Sequence, residues 1–372
     1  MKIRFTIVFL ILNLIVYSQV SGGQDNPESE DSGALSNALA GAQEEYLKRP
    51  LSPFADAEHK SIDRFVQEMR GPKHEKVQAA LVRYGMWHER LTEEMRRHGL
   101  PEEFLALVFV ESAFKPKALS RSNAGGFWQI LPSTARFFKL RRDAFADDRF
   151  IPEKATKFGA WYLRELYAQF GDWHLAMAAY NLGRGNMARL IESGAPKDFF
   201  KMRNRGLLRE ETADYVPRIL AAHRVLSDPA KYGFTKPTMD KTKYAGLVLR
   251  PLTDVTRLEI LASVPTGTIR RANPGLRSEY APPDPGGFHV FVPAKHHEAL
   301  DAINLAKNAV ADWGDLRDLR RIEIKIKRKM TLWKISRDYD TCLSSLRLWN
   351  KLGTEESPVP GDRIVLYIHD ER

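Results

Sequence analysis

LPEEFLALVFVESAFKPKALSRSNAGGFWQILPSTARFFKL, residues 100–140, is the stretch from which the fold can be read. Pro101 suits the first position of a helix and Glu102 and Glu103 suit its positive end, after which Phe104, Leu107, Val108 and Glu111 fall on one face. Glu111 is therefore set in an apolar stripe. A carboxylate there loses hydration with no evident cationic partner, which predicts a raised pKa and a side chain protonated near neutral pH, the state a general acid needs. Pro116 is expected to end the helix. The following segment, with Ser120, Ser122, Asn123, Gly125 and Gly126, reads as a turn-rich loop that delivers Phe127, Trp128 and Gln129 and could fold over a ligand.

Working outward, Ile62, Phe65, Val66 and Met69, then Val77, Leu81, Tyr84, Trp87 and Leu91, keep a helical phase across a break at Gly71-Pro72. Arg142 to Asp148 is charged and loop-like. Ala155, Phe158, Tyr162, Leu166 and Phe170 restore helical spacing, and WHLAMAAYN (173–181) brings Ala176, Ala179 and Tyr180 to one side of the next helix. Gly183 and Gly185 are expected to stop it. Asn181, at that terminus, reads as a helix cap or as a substrate ligand, with the cap favoured on spacing alone. A further helix is expected over 211–226, with Pro217 in its first half. No hydrophobic alternation appears between Pro101 and Leu226, which predicts an all-helical domain.

From Gly246 the pattern changes. Residues 247–252 and 288–292 read as strands, with helical pieces at 255–264 and 268–273 between them. From Arg321 the same order returns: Ile322, Ile324 and Ile326 alternate, 331–339 and 343–350 look helical, and 358–368 ends as a strand. Each unit has an Asn after a short helix, Asn273 in RANPGL and Asn350 in LWNKLG, then a Pro/Gly turn and a final strand. The two read as an internal βααβ repeat.

A chain of 372 residues with 43% hydrophobic content accommodates two or three domains and indicates neither overall disorder nor an integral membrane protein. Residues 1–24, basic at Lys2 and Arg4 and apolar from Phe5 to Tyr17, read as a secretory signal. Residues 25–55 read as a linker. Such a signal implies export, expected here to be to the periplasm, and leaves open a peripheral membrane association through the N-terminal segment. Cys342 is the one cysteine, which excludes an intramolecular disulfide, a thiolate metal cluster and a lipid-modified cysteine after the signal. No helix-spaced His pair stands out, and neither a metal nor another cofactor is implied. The net charge of +10 favours an acidic partner, but the basic residues are dispersed without the basic-aromatic pattern of a nucleic-acid reader. Oligomeric state is left open.

Glu111-Ser112 at a helix end, followed by GFWQI and PSTA, then AAYN and ETADYVP, resembles the motif series of the lytic transglycosylases, which share a goose-lysozyme-like fold. The resemblance covers about residues 56–235 as a mainly α catalytic domain. Residues 321–369 resemble LysM, a small α+β glycan-binding module, through TLWKIS, LWNKLG and VPGDRIVLYI, although Lys329-Met330 stand where that module usually has Gly-Asp before its Thr. Residues 246–295 look like a more degenerate copy. The resemblance implies Glu111 as catalytic acid and Ser112 as its hydrogen-bonding neighbour. It implies a glycan-contacting loop at Gly126, Phe127, Trp128 and Gln129, and brings Tyr180, Asn181 and Tyr215 to the cleft. Asp148-Arg149, Pro152 and Asp172-Trp173 match positions that look structural.

The partner so implied is the peptidoglycan glycan strand. Hydrolysis of a glycoside normally takes two carboxylates, and the motif series supplies one. The expected reaction is therefore a lyase-type cleavage closed by the substrate's own C6 hydroxyl. A hydrolytic muramidase would need a second acid, such as Asp147, Asp148 or Asp172, facing Glu111. A non-catalytic peptidoglycan-binding protein is the other alternative. Residues from about Arg321 onward are expected to act independently, so that their removal weakens wall retention yet spares cleavage of soluble fragments.

Overall fold

In the computed structural model, which describes residues 54, 59–311, 316–327, 330–354 and 356–369, the helical phases of the first half become packed helices. The expected signal (1–24) and the expected linker, Phe54 apart, lie outside the described residues. Helices α1 (Lys60–Arg70) and α2 (His74–Arg97) are separated at Gly71. A single 3₁₀ turn over Glu102–Phe104 precedes α3 (Leu105–Ser112), so the α-helix starts later than Pro101 suggests. Leu105 to Phe109 are all buried, which makes α3 an interior helix rather than a striped one. It ends at Ser112, short of Pro116, because Ala113 and Phe114 turn left-handed at φ 48° and 56°. That backbone cost is offset by burying the Phe114 ring against Tyr84 and Phe109, while Arg83 Nε donates to Ala113 O at 2.8 Å.

The chain continues through α4 (Pro132–Phe137), α5 (Pro152–Phe170), α6 (Trp173–Leu182), α7 (Arg184–Glu192), α8 (Phe199–Asn204) and α9 (Glu210–Ser227). Gly183, at φ 94°, ends α6 as expected, but Gly185 lies inside α7. Helices α7 and α8 are short and carry few buried apolar residues, so their periodicity was too weak to read. Helix α9 is the hub, packing on α1, α3 and α6. Pro217 inside it has no N–H to give to the carbonyl four residues back. Arg203 Nε fills that gap, donating to Ala213 O at 2.9 Å.

Two antiparallel βααβ units follow. The first is β1 (Tyr244–Leu249), α10 (Val255–Leu261), α11 (Thr268–Ala272) and β2 (Phe288–Pro293), to which α12 (Ala294–Leu305) is appended. The second is β3 (Leu319–Lys325), α13 (Leu332–Asp338), α14 (Leu343–Trp349) and β4 (Arg363–His369). The repeat extends to side chains. Asn273 Nδ2 donates to Ile269 O and Phe291 O, both at 2.7 Å, while its Oδ1 accepts from Phe291 N at 2.8 Å. Asn350 does the same with Leu346 O (2.7 Å), Val365 O (2.8 Å) and Val365 N (2.7 Å). Each Asn thus ties the end of the unit's second helix to its second strand, satisfying backbone groups that a helix terminus would otherwise leave open.

The second unit does not stand apart, contrary to the expectation of an independent module. Residues 141–148 form a strap between the helical domain and both units. Phe145 packs with Leu252, Tyr280, Leu319 and Tyr367 in one buried cluster, and its ring meets Trp349 at 5.9 Å and Tyr367 at 5.7 Å. Cys342 N donates to Arg142 O at 2.7 Å, and Ser345 Oγ donates to the buried Asp143 at 2.5 Å. Asp147 N donates to Gly275 O at 2.8 Å and Arg277 N to Phe145 O at 2.9 Å, which ties in the first unit. No described helix is long and apolar enough to cross a membrane.

Candidate active site

Three helices converge on Glu111. It sits in the last turn of α3, half-buried. Tyr215 comes from α9, and its phenol donates to Glu111 Oε1 across 104 positions of sequence. Tyr180 comes from α6 and feels the charge of Glu111. Burial raises the Glu111 carboxyl to about 7, the Tyr215 hydrogen bond opposes that rise, and the charge of Glu211 adds to it. The direction is the one its apolar surroundings predict. Burial first, and the nearby Glu111 carboxylate second, hold both phenols well above their usual range, so they remain neutral donors.

The positions expected around the acid divide by what their side chains do. Ser112 is buried and its hydroxyl donates back to Val108 O at 3.1 Å, a bond within its own helix, so the acid's hydrogen-bonding neighbour is Tyr215 instead. Phe127 and Trp128, expected in the glycan-contacting loop, have fully buried side chains. Trp128 Nε1 donates to Thr156 Oγ1 at 3.0 Å, and its ring lies so close to α5 that a Cβ on Gly159 would come within 2.3 Å of it. These two rings anchor the loop in the core. Gln129, partly exposed with φ 45°, donates to Gly126 O at 2.9 Å, closing the turn from within.

Gly126 is required by geometry. At φ 75°, a Cβ there would lie 1.9 Å from Arg149 O. Arg149, 2% exposed, holds the loop from beneath: Nη1 donates to Asn123 O at 2.6 Å and Ile130 O at 3.1 Å, while Nη2 pairs with Asp147 at 2.8 Å. The loop is thereby tied to the strap. Tyr180 closes the other side, its hydroxyl donating to Trp128 O at 2.7 Å. Asn181 is not a cap, since α6 runs one residue further to Leu182. Its Oδ1 accepts from Thr212 Oγ1 at 2.7 Å and its Nδ2 donates to Glu211 Oε1 at 3.3 Å, bridging α6 to the start of α9.

The acids suggested as second carboxylates are engaged elsewhere. Asp147 pairs with Arg149, Asp148 accepts from Lys154 Nζ and Arg141 N at 2.8 and 2.9 Å, and Asp172 caps α6 through Leu175 N at 2.8 Å. The acid whose charge Glu111 feels is Glu211, exposed at the start of α9. Sequence reasoning gave it no role. The signal was there, because Glu211 precedes Tyr215 by four residues and must share its helix face.

Residues 91–202 match the family model described as the Transglycosylase SLT domain, and residues 324–366 match the LysM domain. The chain is similar to membrane-bound lytic murein transglycosylase D of Escherichia coli, 30% identical over 270 residues, covering 70% of this chain and 58% of that protein. It is also similar to soluble lytic murein transglycosylase of the same organism, 30% identical over 128 residues, 33% of this chain and 20% of that one. The chain spans less than two thirds of the length of these relatives. Among solved structures, the 70 kDa soluble lytic transglycosylase of Escherichia coli aligns at 27% identity and a TM-score of 0.31, over 40% of this chain and 25% of that chain.

Proposed function

We propose that this chain, which carries a Transglycosylase SLT domain and a LysM domain, is a peptidoglycan lytic transglycosylase acting in cell-wall remodelling. The observation that carries the reading is Glu111: one carboxyl, half-buried, near neutral in pKa and held by a phenol that stays protonated. In the reaction so proposed, Glu111 protonates the glycosidic oxygen between N-acetylmuramic acid and N-acetylglucosamine. As a carboxylate it then takes the proton of the muramic C6 hydroxyl as that oxygen closes on C1, forming a 1,6-anhydro end. Tyr215 fixes the carboxyl, and the loop at Gly126 and Gln129, with Tyr180 and Asn181, shapes the cleft. Residues 56–235 serve as catalytic domain, with 246–295 and 321–369 as LysM-like units. An exported, periplasmic protein fits this substrate.

The product decides the reaction. Muropeptides released from purified sacculi should be non-reducing 1,6-anhydromuramoyl species, lighter by one water than hydrolysis products, as read by mass spectrometry before and after borohydride. Reducible muropeptides as the main product would favour the muramidase reading, and Glu211 is the observation that keeps that reading in view. Being exposed, it has access to water that the buried Asp147 and Asp148 lack.

Tyr215→Phe gives a second expected result. The phenol's hydrogen bond favours the ionised form of Glu111, so its loss pushes the carboxyl's pKa up further. The alkaline limb of the rate profile should move to higher pH. The rate itself should fall roughly tenfold or more, the scale of a lost hydrogen bond to a charged group. An unmoved limb would separate Tyr215 from the acid.

A further inference from the structure

Tyr180, beside Glu111, meets Tyr162 on α5 with ring centroids 5.6 Å apart. From Tyr162 the aromatic contacts continue outward: Phe158 is stacked on it at 5.6 Å and Phe138 lies at 5.9 Å. Phe138 in turn touches Trp161 and Phe137, each at 4.8 Å. The inner end of this series, Tyr180 and Tyr162, is partly buried, and Phe158 is buried. Its outer end is in water, with Phe137 79% and Trp161 40% exposed. A scattered exposed ring needs no explanation, but these rings end a continuous series that starts at the candidate cleft. Arg136 and Lys139 flank Phe137, and Lys157 lies one helical turn before Trp161; all three are exposed.

We propose that Phe137 and Trp161, rimmed by Arg136, Lys139 and Lys157, form a distal platform that binds an anionic glycan strand as it leaves the Glu111 cleft. The proposal rests on the glycan-cleaving reading above and extends it along the surface. Pyranose rings present flat C–H faces that pack on aromatic planes, and the lactyl or stem-peptide carboxylates spaced along such a strand match the three cations. The occupant is a glycan rather than a lipid surface because the platform is continuous with Tyr180, where the scissile bond would lie. Each ring adds contact area without touching the acid.

The test uses the full chain carrying Glu111→Gln, so that strands are bound without being cut. The probe is long peptidoglycan glycan strands freed of stem peptides by an amidase, which leaves their lactyl carboxylates free. Phe137→Ala with Trp161→Ala should weaken binding about tenfold, the order that one or two aromatic contacts supply. Phe137→Tyr with Trp161→Phe should restore it, and added salt should weaken the parent. In the active chain the rise in KM should grow with strand length. Equal binding by the alanine pair overturns the platform alone, as does a loss confined to anionic phospholipid vesicles, which would make the patch a membrane surface. Failure of the Glu111→Gln chain to bind these strands, together with failure of the unsubstituted chain to cut them, overturns the glycan-cleaving reading as well.

Discussion

Replacing Glu111 with Gln should abolish cleavage while leaving the fold intact. Gln is nearly isosteric and can still accept from the Tyr215 phenol, but it cannot release a proton. The rate should fall roughly a thousandfold, within the range measured for loss of a general acid. The same substitution should change stability in a pH-dependent way. Burial first, with Glu211's charge adding and Tyr215's hydrogen bond opposing, holds the carboxyl at about 7 against an ordinary 4.5. A carboxyl raised on folding favours the native state below its unfolded pKa and withdraws that support as pH climbs toward the folded value. Glu111→Gln does not ionise, so the variant should melt above the parent at pH values beyond 7 and level with it well below 4.5. Comparable cell-wall solubilisation by the purified variant would remove Glu111 from the role of acid. Matching melting curves across the whole pH range would show that its carboxyl is not raised.

Truncation before Leu319 should damage the whole protein rather than release a passenger. The buried cluster around Phe145 draws Leu319 and Tyr367 from the second unit, with Trp349 packed against it, and the buried Asp143 would lose its bond from Ser345. Replacing Phe145 alone by Ala should cost about 3–5 kcal/mol, and the truncation more. The effect should reach catalysis. The strap that Phe145 anchors runs directly into Arg149, whose guanidinium holds Asn123 O and Ile130 O of the active-site loop. Small displacements of a positioning loop are expensive, so cleavage of soluble glycan fragments should drop by about ten- to a hundredfold. Full activity on soluble fragments, with an unchanged melting temperature, would return the second unit to the independent role that its sequence suggests.

What the sequence determined by itself is the local part. Helical phases placed α1, α2, α5, α6 and α9 because each buries a face whose period is written in consecutive residues. The two βααβ units were legible for the same reason, down to Asn273 and Asn350. The raised pKa of Glu111 followed from Leu107 and Val108 beside it on a short apolar helix. Tertiary structure decided what those residues face. Tyr215 reaches Glu111 across 104 positions, and nothing local in VFVES or ETADYVP specifies the pairing. Phe127 and Trp128 look equally suited to sugar and to core. Only α5 beneath the loop, with Thr156 as acceptor and Gly159 making room, turns them inward. The strap is the extreme case: residues 141–148 are polar and irregular along the chain, and they become a buried junction because Asp143 and Phe145 find partners some 200 residues away, Ser345 among them. Periodicity reports which face of an element is apolar, whereas the partner of that face is set by long-range packing that no stretch of sequence contains.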